Sequence, residues 1–369
     1  MNNSQKIIDL FAGCGGLSKG FEQAGFQIAG FVENWLPAID THQMNFPNSK
    51  LIGKDITQIS DDEIIAIKNN NEIKGIIGGP PCQGFSTIGK RDPKDPRNSL
   101  FMQFIRFVKI IEPDFFVMEN VRGLVSTKNE KGVKVLDIIL QEFKKIGYNV
   151  NYKILCSADY GVPQVRERLI FIGHKNKTLE FPSPTHKDKW LPLIEAIQNL
   201  PKLDNDNLGE SKKNIQIQSI NSFQKNILGV NAEHILLNHQ IIKQQKIDLE
   251  RGIYIPEGRY FRSTRGGLKN EIFPREELFL SKNSSKQQKY CKLDRNLPSW
   301  TVLTDWYTMR QKIHPFENRP FSIRELARIQ TFPDNFIFTG NLKDQYKQIG
   351  NAVPVLLAKM LAQQIKNQI

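Results

Sequence analysis

The chain has 369 residues, 39% hydrophobic and 24% charged, which excludes a disordered or collagen-like polymer and leaves room for one large domain or two moderate ones. Lys and Arg number 51 against 38 Asp and Glu, a formal net charge of +13. An excess of this size points to a polyanionic partner, above all nucleic acid, with a merely basic soluble protein as the alternative. Cys14, Cys82, Cys156 and Cys291 form no CxxC pair, so neither a disulfide framework nor a zinc ribbon is indicated. No apolar run approaches the roughly 18 residues needed to span a bilayer, and MNNSQKIIDLF lacks the pattern of a signal peptide. A reducing cytoplasm is the expected compartment.

In chain order, Lys6 to Phe11 reads as a strand ending in a glycine loop, and Leu17 to Ala24 as a helix. Gln27 to Glu33 is a second strand and Leu36 to Asn45 a second helix. Ile73 to Gly78 is a strand, and Leu100 to Ile111 carries helical apolar spacing at Leu100, Phe101, Phe104, Ile105, Val108 and Ile111. Asp114 to Met118 is a strand, Val133 to Ile146 a helix, and Leu169 to Gly173 a last strand. This alternation predicts an α/β domain, a mostly parallel sheet covered by helices. Residues 182 to about 295 are rich in Asn, Gln, Ser and Lys with weak periodicity, and read as a smaller irregular domain. Helical patterning returns after about residue 320, where Ser322 and Glu325 form an S-x-x-E capping box and Pro354 opens a final helix.

Four segments carry candidate chemistry. In DLFAGCGGLSKGF, Gly13, Gly15 and Gly16 lie between a strand and a helix, where they permit a tight turn and close approach of a ligand. Glu33 ends the next strand, about where Rossmann-like folds place a carboxylate for ribose hydroxyls, and Asp55 is placed to cap the third strand and accept a bond from an adenine amine. Together these predict an adenosine-containing cofactor. In GGPPCQGFS, two prolines stiffen the chain before Cys82, a candidate nucleophile, and Gly78, Gly79 and Gly84 leave room for a flat substrate. The other three cysteines lack such a frame and read as inert thiols. In MENVRGL, Glu119 ends a strand of the same sheet and can supply a proton to a substrate nitrogen, or form a surface ion pair. In QVRERLIFIG, Gln164, Arg166 and Arg168 recur with period 2, which would turn all three to one face to orient a carboxylate and bind a carbonyl oxygen.

Taken with RELARIQTFPDNF and YKQIGNAVP near the end, these motifs closely resemble, in order, those of the DNA (cytosine-5) methyltransferases, especially the bacterial restriction-modification type. The resemblance covers residues 7–175 and about 293–361. It implies a Rossmann-like S-adenosylmethionine-dependent domain formed by residues 1–181 and 296–369, the latter a return segment and C-terminal helix. Residues 182–295 would be the variable target-recognition domain. Cys82 would be the nucleophile that adds to carbon 6 of a flipped-out cytosine. Glu119 would act at ring nitrogen 3, Asn120 would hold the loop, and Arg166 and Arg168 would support the glutamate and bind the cytosine carbonyl.

For the cofactor, the resemblance implies that Phe11 stacks on adenine and that Gly13, Cys14 and Gly16 line the methionine end. Glu33 would bind the ribose, Asp55 and Ile56 would flank the adenine, and Pro81, Leu100, Asn351 and Val353 would complete the pocket. Asn34 stands where many relatives carry an aromatic or acidic residue beside the adenine. No metal is implied. The expected partner is double-stranded DNA, touched by Gln83 and Ser86 and read by a loop in segment 251–266 through Arg259, Tyr260, Arg262 and Arg265. A monomer in a bacterial cytoplasm, with a cognate endonuclease encoded nearby, is the family expectation. An RNA methyltransferase and a DNA-binding protein with a dead catalytic core are the competing readings.

Overall fold

The structure is a computed structural model that describes residues 5–81, 100–129, 132–262, 272–274 and 288–369. The chain divides into two compact units. The first comprises Met1–Tyr160, Glu167–Thr185 and Val353–Ile369, the second Gly161–Arg166 and His186–Ala352.

The first unit is built on β1 (Lys6–Leu10), β2 (Gln27–Val32), β3 (Lys50–Gly53), β4 (Ile73–Gly78), β5 (Phe115–Val121), β6 (Asn149–Cys156) and β7 (Glu167–His174). Between them run α1 (Gly16–Gln23), α2 (Leu36–Asn45), α3 (Asp61–Asn70), α4 (Leu100–Ile111) and α5 (Val135–Lys145). The sheet order is β3-β2-β1-β4-β5-β7-β6, parallel except that β7 runs antiparallel to both of its neighbours. The mostly parallel α/β architecture is thus as expected. The strand order reverses direction between β1 and β4, a switch point at which the loops after two neighbouring strands diverge and leave a crevice.

The apolar runs fold as they do because strands buried on both faces need continuous apolar side chains. Ile7, Ile8, Ile76, Ile77, Phe115, Phe116, Val117 and Met118 are all at most 1% exposed. On one side α4 lays Phe101, Phe104, Ile105 and Val108 into a core shared with Phe143 of α5, where Phe116 and Phe143 stack with centroids 4.0 Å apart. Elsewhere α1 meets the last helix of the chain so closely that a Cβ on Gly20 would fall 2.4 Å from the Cβ of Ala358. Gly78 lies still tighter: a Cβ there would stand 2.1 Å from the carbonyl oxygen of Leu10 on the neighbouring strand. Gly78→Ala must therefore push β1 and β4 apart. It is expected to lower the unfolding free energy by about 2–4 kcal/mol, read by chemical denaturation.

The second unit holds short elements. They are α6 (Ile194–Ile197), the antiparallel pair β8 (Gly209–Gln216) and β9 (Glu233–Gln240), α7 (Ser222–Asn226) and α8 (Lys246–Ile253). A three-stranded sheet follows, in the order β11 (Ile272–Pro274), β10 (Arg259–Arg262), β12 (Gln288–Lys289), and then the pair β13 (Cys291–Lys292) and β14 (Lys312–Ile313). Two helices close the unit: α9 (Ile323–Ile329), opened by the expected Ser322–Glu325 capping box, and α10 (Leu342–Asn351). α11 (Val355–Lys366), preceded by Pro354, belongs to the first unit.

Charge replaces much of the apolar core around α9. Arg319, Arg324, Glu325, Arg328 and Asp334 are each at most 2% exposed. Arg319 is bidentate on Glu325 at 2.8 and 2.6 Å, and Arg328 holds Asp334 while His234 bonds its Oδ2 at 2.8 Å. Burial works to raise the Glu325 carboxyl, but the Arg319 charge and hydrogen bonds outweigh it and hold the group well below the usual carboxylate range.

Candidate active site

The first unit's parallel strands deliver their C-terminal ends to one edge of the sheet, and the loops that follow carry the candidate groups. β1 leads into Phe11–Gly15, β2 into Glu33, β3 into Asp55 and Ile56, and β4 into Gly79–Pro81.

Phe11 sits in the left-handed region at φ 59, a strained conformation for an aromatic residue that turns the chain out of β1. Gly13 follows at φ 56, with open space where its Cβ would be. Gly15, at φ 94, is the residue before α1, and a Cβ on it would strike the Phe46 ring at 2.5 Å. Cys14 is buried, and burial pushes its thiol far up, away from the reactive thiolate form. Glu33 ties β2 to this loop: its Oε2 accepts the Gly13 N–H at 2.8 Å, and its Oε1 accepts the N–H groups of Asn34 and Trp35 at 3.0 and 2.9 Å. The Asp55 Oδ1 caps its own turn, accepting from the Thr57 N–H at 2.9 Å and hydroxyl at 2.7 Å, which holds the carboxyl below its ordinary value. The Glu33 carboxylate after β2, an open glycine corner and a capped acidic turn lie on adjacent loops, an arrangement that fits an adenosine-containing cofactor.

Beneath the glycine loop lies a polar chain that the sequence did not flag. The Ser18 hydroxyl donates to Asp9 Oδ2 at 2.6 Å and stands 3.1 Å from His42 Nε2. With its hydrogen given to Asp9, the hydroxyl accepts from Nε2–H, which fixes the imidazole tautomer. All three residues are fully buried. Burial pushes the Asp9 carboxyl up to about 7, against the Ser18 hydrogen bond and with help from the Glu33 charge, and lowers His42 to about 3. A carboxyl raised by folding binds more protons in the native state than in the unfolded chain. Stability is therefore lost as pH rises from the ordinary value of 3.8 through about 7. The ligand-free wild type is expected to lose about 1–3 kcal/mol relative to Asp9→Asn between pH 5 and 8.5, read as the pH slope of the two denaturation curves.

At the end of β5, Glu119 and Arg168 of β7 make the central ion pair. The ladder sets Val121 opposite Arg168 and Glu119 opposite Ile170, so the two side chains are diagonal neighbours. Arg168 Nε stands 2.8 Å from Glu119 Oε1, with side-chain exposures of 17% and 14%. The other carboxylate oxygen, Oε2, lies 3.1 Å from where a Cβ on Gly79 would be. The glycine after β4 is thus what admits this carboxylate. Asn120 is buried beside it and donates to the Pro80 carbonyl at 3.2 Å, while its Oδ1 accepts the Val121 N–H. The chain two residues before Cys82 is fixed by this bond. Cys82, Gln83, Ser86 and Arg265 lie outside the described residues.

The period-2 reading of QVRERL needs correction. The ladder of β7 begins only at Glu167. Residues 163–165 pair instead with the 299–301 segment, through Val165 N–H to the Ser299 carbonyl and the Thr301 hydroxyl to the Val165 carbonyl. Gln164 is buried against Gln330 at 2.8 Å, and Arg166, 1% exposed, donates to the carbonyls of Val302 and Gly350, both at 3.0 Å. Gln164 and Arg166 therefore organise the second unit, while Arg168 pairs with Glu119 in the first. Gly350 lies inside α10, and a Cβ there would fall 2.6 Å from the Leu303 carbonyl carbon. Asn351 ends α10 in the second unit. Val353 is in the first, as are Pro81 and Leu100, which are half-buried. Arg259 and Arg262 lie on β10, and Tyr260 between them is buried. Among the described residues there is no group of three or more His, Cys, Asp or Glu placed to hold a metal, and no helix long and apolar enough to cross a membrane.

Comparison with known proteins joins these features. A family model described as C-5 cytosine-specific DNA methylase matches residues 5–367. The chain is 40% identical to the type II methyltransferase M.DdeI of Desulfomicrobium norvegicum, covering 97% of this chain and 88% of that protein. It is 37% identical to M1.HphI of Haemophilus parahaemolyticus, covering 98% and 87%. The crystal structure of an Escherichia coli chain described as a DNA modification methyltransferase encoded within a prophage superposes with a TM-score of 0.77 at 29% identity, over 99% of both chains. The chain belongs to the C-5 cytosine-specific DNA methylase family and is a DNA (cytosine-5) methyltransferase.

Proposed function

We propose that the protein is the modification enzyme of a type II restriction-modification system, acting on a cytosine turned out of double-stranded DNA through a covalent adduct on Cys82. The observation that carries this reading is the Glu119–Arg168 pair beside Gly79, with Asn120 anchoring Pro80 just ahead of Cys82.

Carbon 5 of cytosine is a poor nucleophile. Addition of the Cys82 thiolate at carbon 6 moves electron density onto carbon 5 and nitrogen 3, so one difficult substitution becomes two easier steps. Glu119 delivers a proton or hydrogen bond to nitrogen 3 as that density arrives, and Arg168 orients the carboxyl and binds the ring carbonyl. Arg166 acts at one remove, by fixing the segments that contain Val302 and Gly350. S-adenosylmethionine supplies an electrophilic methyl group. Phe11, Gly13, Cys14, Gly16, Glu33, Asn34, Asp55, Ile56, Pro81, Leu100, Asn351 and Val353 are the residues assigned to hold it. A base then takes the carbon 5 proton, the C–H electrons re-form the 5,6 double bond, and the carbon 6–sulfur bond breaks to return the Cys82 thiolate.

Unstacking the target base costs a few kcal/mol, which pocket contacts offset. The net charge of +13 suits phosphate binding, and Arg259, Arg262 and Arg265, with Gln83 and Ser86, are the candidate DNA contacts. The buried Tyr260 is assigned to packing. The recognition domain is assigned to residues 182–295. The enzyme is assigned as a cytoplasmic monomer whose partner endonuclease is encoded nearby.

The test is conversion sequencing of unmethylated bacterial DNA incubated with protein and S-adenosylmethionine. Protected cytosines confined to one short motif are expected. Transfer to tRNA alone would move the assignment to an RNA substrate, and no transfer to either would favour a binding role.

A further inference from the structure

The turn between β3 and α3 carries Asp55 and Ile56, the residues assigned to the adenine, and the side chains of Ile56 and Ile59 pack into the core. Asp55 bonds only within the turn, to Thr57. Ser60 and Glu63 close a capping box that belongs to α3. The backbone of the turn is held by the guanidinium of Arg106 on α4. Its Nη2 donates to the Ile56 carbonyl at 3.0 Å and to the Ile59 carbonyl at 2.7 Å, and its Nη1 stands 3.1 Å from Asp61 Oδ1. Ile56 and Ile59 are 3% and 6% exposed, so without Arg106 their carbonyls lose a charged donor where water has little access. α4 also begins at Leu100, another residue assigned to the cofactor, immediately after the segment that contains Cys82.

We propose that Arg106 is a positioning residue for the adenine end of the cofactor site, acting through the backbone carbonyls of the Asp55–Ser60 turn. This rests on the cofactor reading above. An arginine suits the task because its planar fork presents several donors at fixed angles. It can grip two carbonyls and a carboxylate at once, which a lysine cannot reproduce.

The test is calorimetric titration of the full chain with S-adenosylhomocysteine and with S-inosylhomocysteine, whose 6-oxo group replaces the amine that Asp55 would accept. The wild type is expected to prefer the adenine compound. Arg106→Ala should weaken it by about 10- to 100-fold, and should weaken the inosine compound less, so that the preference shrinks. Arg106→Lys should recover part of both the affinity and the preference. Asp61→Asn, which removes only the ion pair, should stay within about threefold of wild type. A purely structural role would lower the melting temperature without changing the ratio of the two affinities. Should Arg106→Ala fail to fold, Arg106→Gln carries the same comparison of ratios. Wild-type affinity with an intact preference in a folded Arg106 variant would overturn the proposal, as would an Asp61→Asn loss as large as that of Arg106→Ala. No binding of either compound by the wild type would overturn the cofactor reading itself, and this proposal with it.

Discussion

Cys82→Ala is expected to lower methyl transfer by at least about 10^4-fold while leaving thermal unfolding and DNA binding near wild type. The size of the effect follows from the chemistry. Without addition at carbon 6, carbon 5 has too little electron density to attack a methyl group, and no neighbouring side chain can substitute for a covalent bond. The other cysteines offer no rescue: Cys14 is buried with its thiol pushed far up, Cys291 is buried, and burial also raises Cys156. Asn120 fixes the Pro80 carbonyl from β5, so the chain ahead of Cys82 keeps its path in the variant. Single-turnover rates on one duplex, with binding measured in parallel, check both halves of the prediction.

Glu119→Gln should cost about 10^2- to 10^4-fold in kcat with little change in cofactor affinity. The amide has the shape of the carboxyl, and its oxygen can still accept from Arg168 Nε, so the packing against Gly79 survives. What is lost is the proton that nitrogen 3 needs as sulfur adds. A kcat within threefold of wild type would remove Glu119 from the mechanism.

The sequence and the structure agree best on segments with boundaries marked by a proline, a glycine or a continuous apolar run. Leu36–Asn45, Ile73–Gly78 and Leu100–Ile111 have the same bounds in both. Elements of the first unit with shallow burial, α3 and β6 among them, were missed for that reason. α3 buries only Ile64, and β6 is an edge strand whose burial is slight until Leu155. α3 did carry a readable start signal in Ser60 and Glu63. QVRERL was misread because period-2 patterning cannot say where a ladder begins, and residues 163–165 found partners some 136 positions away.

Within the candidate site, Glu33, Asp55 and Glu119 were legible because each lies in the last residues of a strand or just after its C-terminal end. Arg106 was not: its partners lie 45 to 50 residues earlier, and its own helix reads simply as amphipathic. The Asp9–Ser18–His42 chain was hidden in the same way. Its members are ordinary in spacing and become unusual only when folding removes water from all three.

The proposed reaction depends on covalent addition of Cys82 to a cytosine. It is tested most directly by incubating the protein and S-adenosylmethionine with a duplex that carries 5-fluorocytosine at the methylated position. Fluorine cannot be removed as a proton is, so a stable protein–DNA adduct is expected, with a mass that places the bond on the peptide containing Cys82. Efficient methylation of the unmodified duplex with no such adduct, or an adduct on the peptide of Cys14, Cys156 or Cys291, would contradict it.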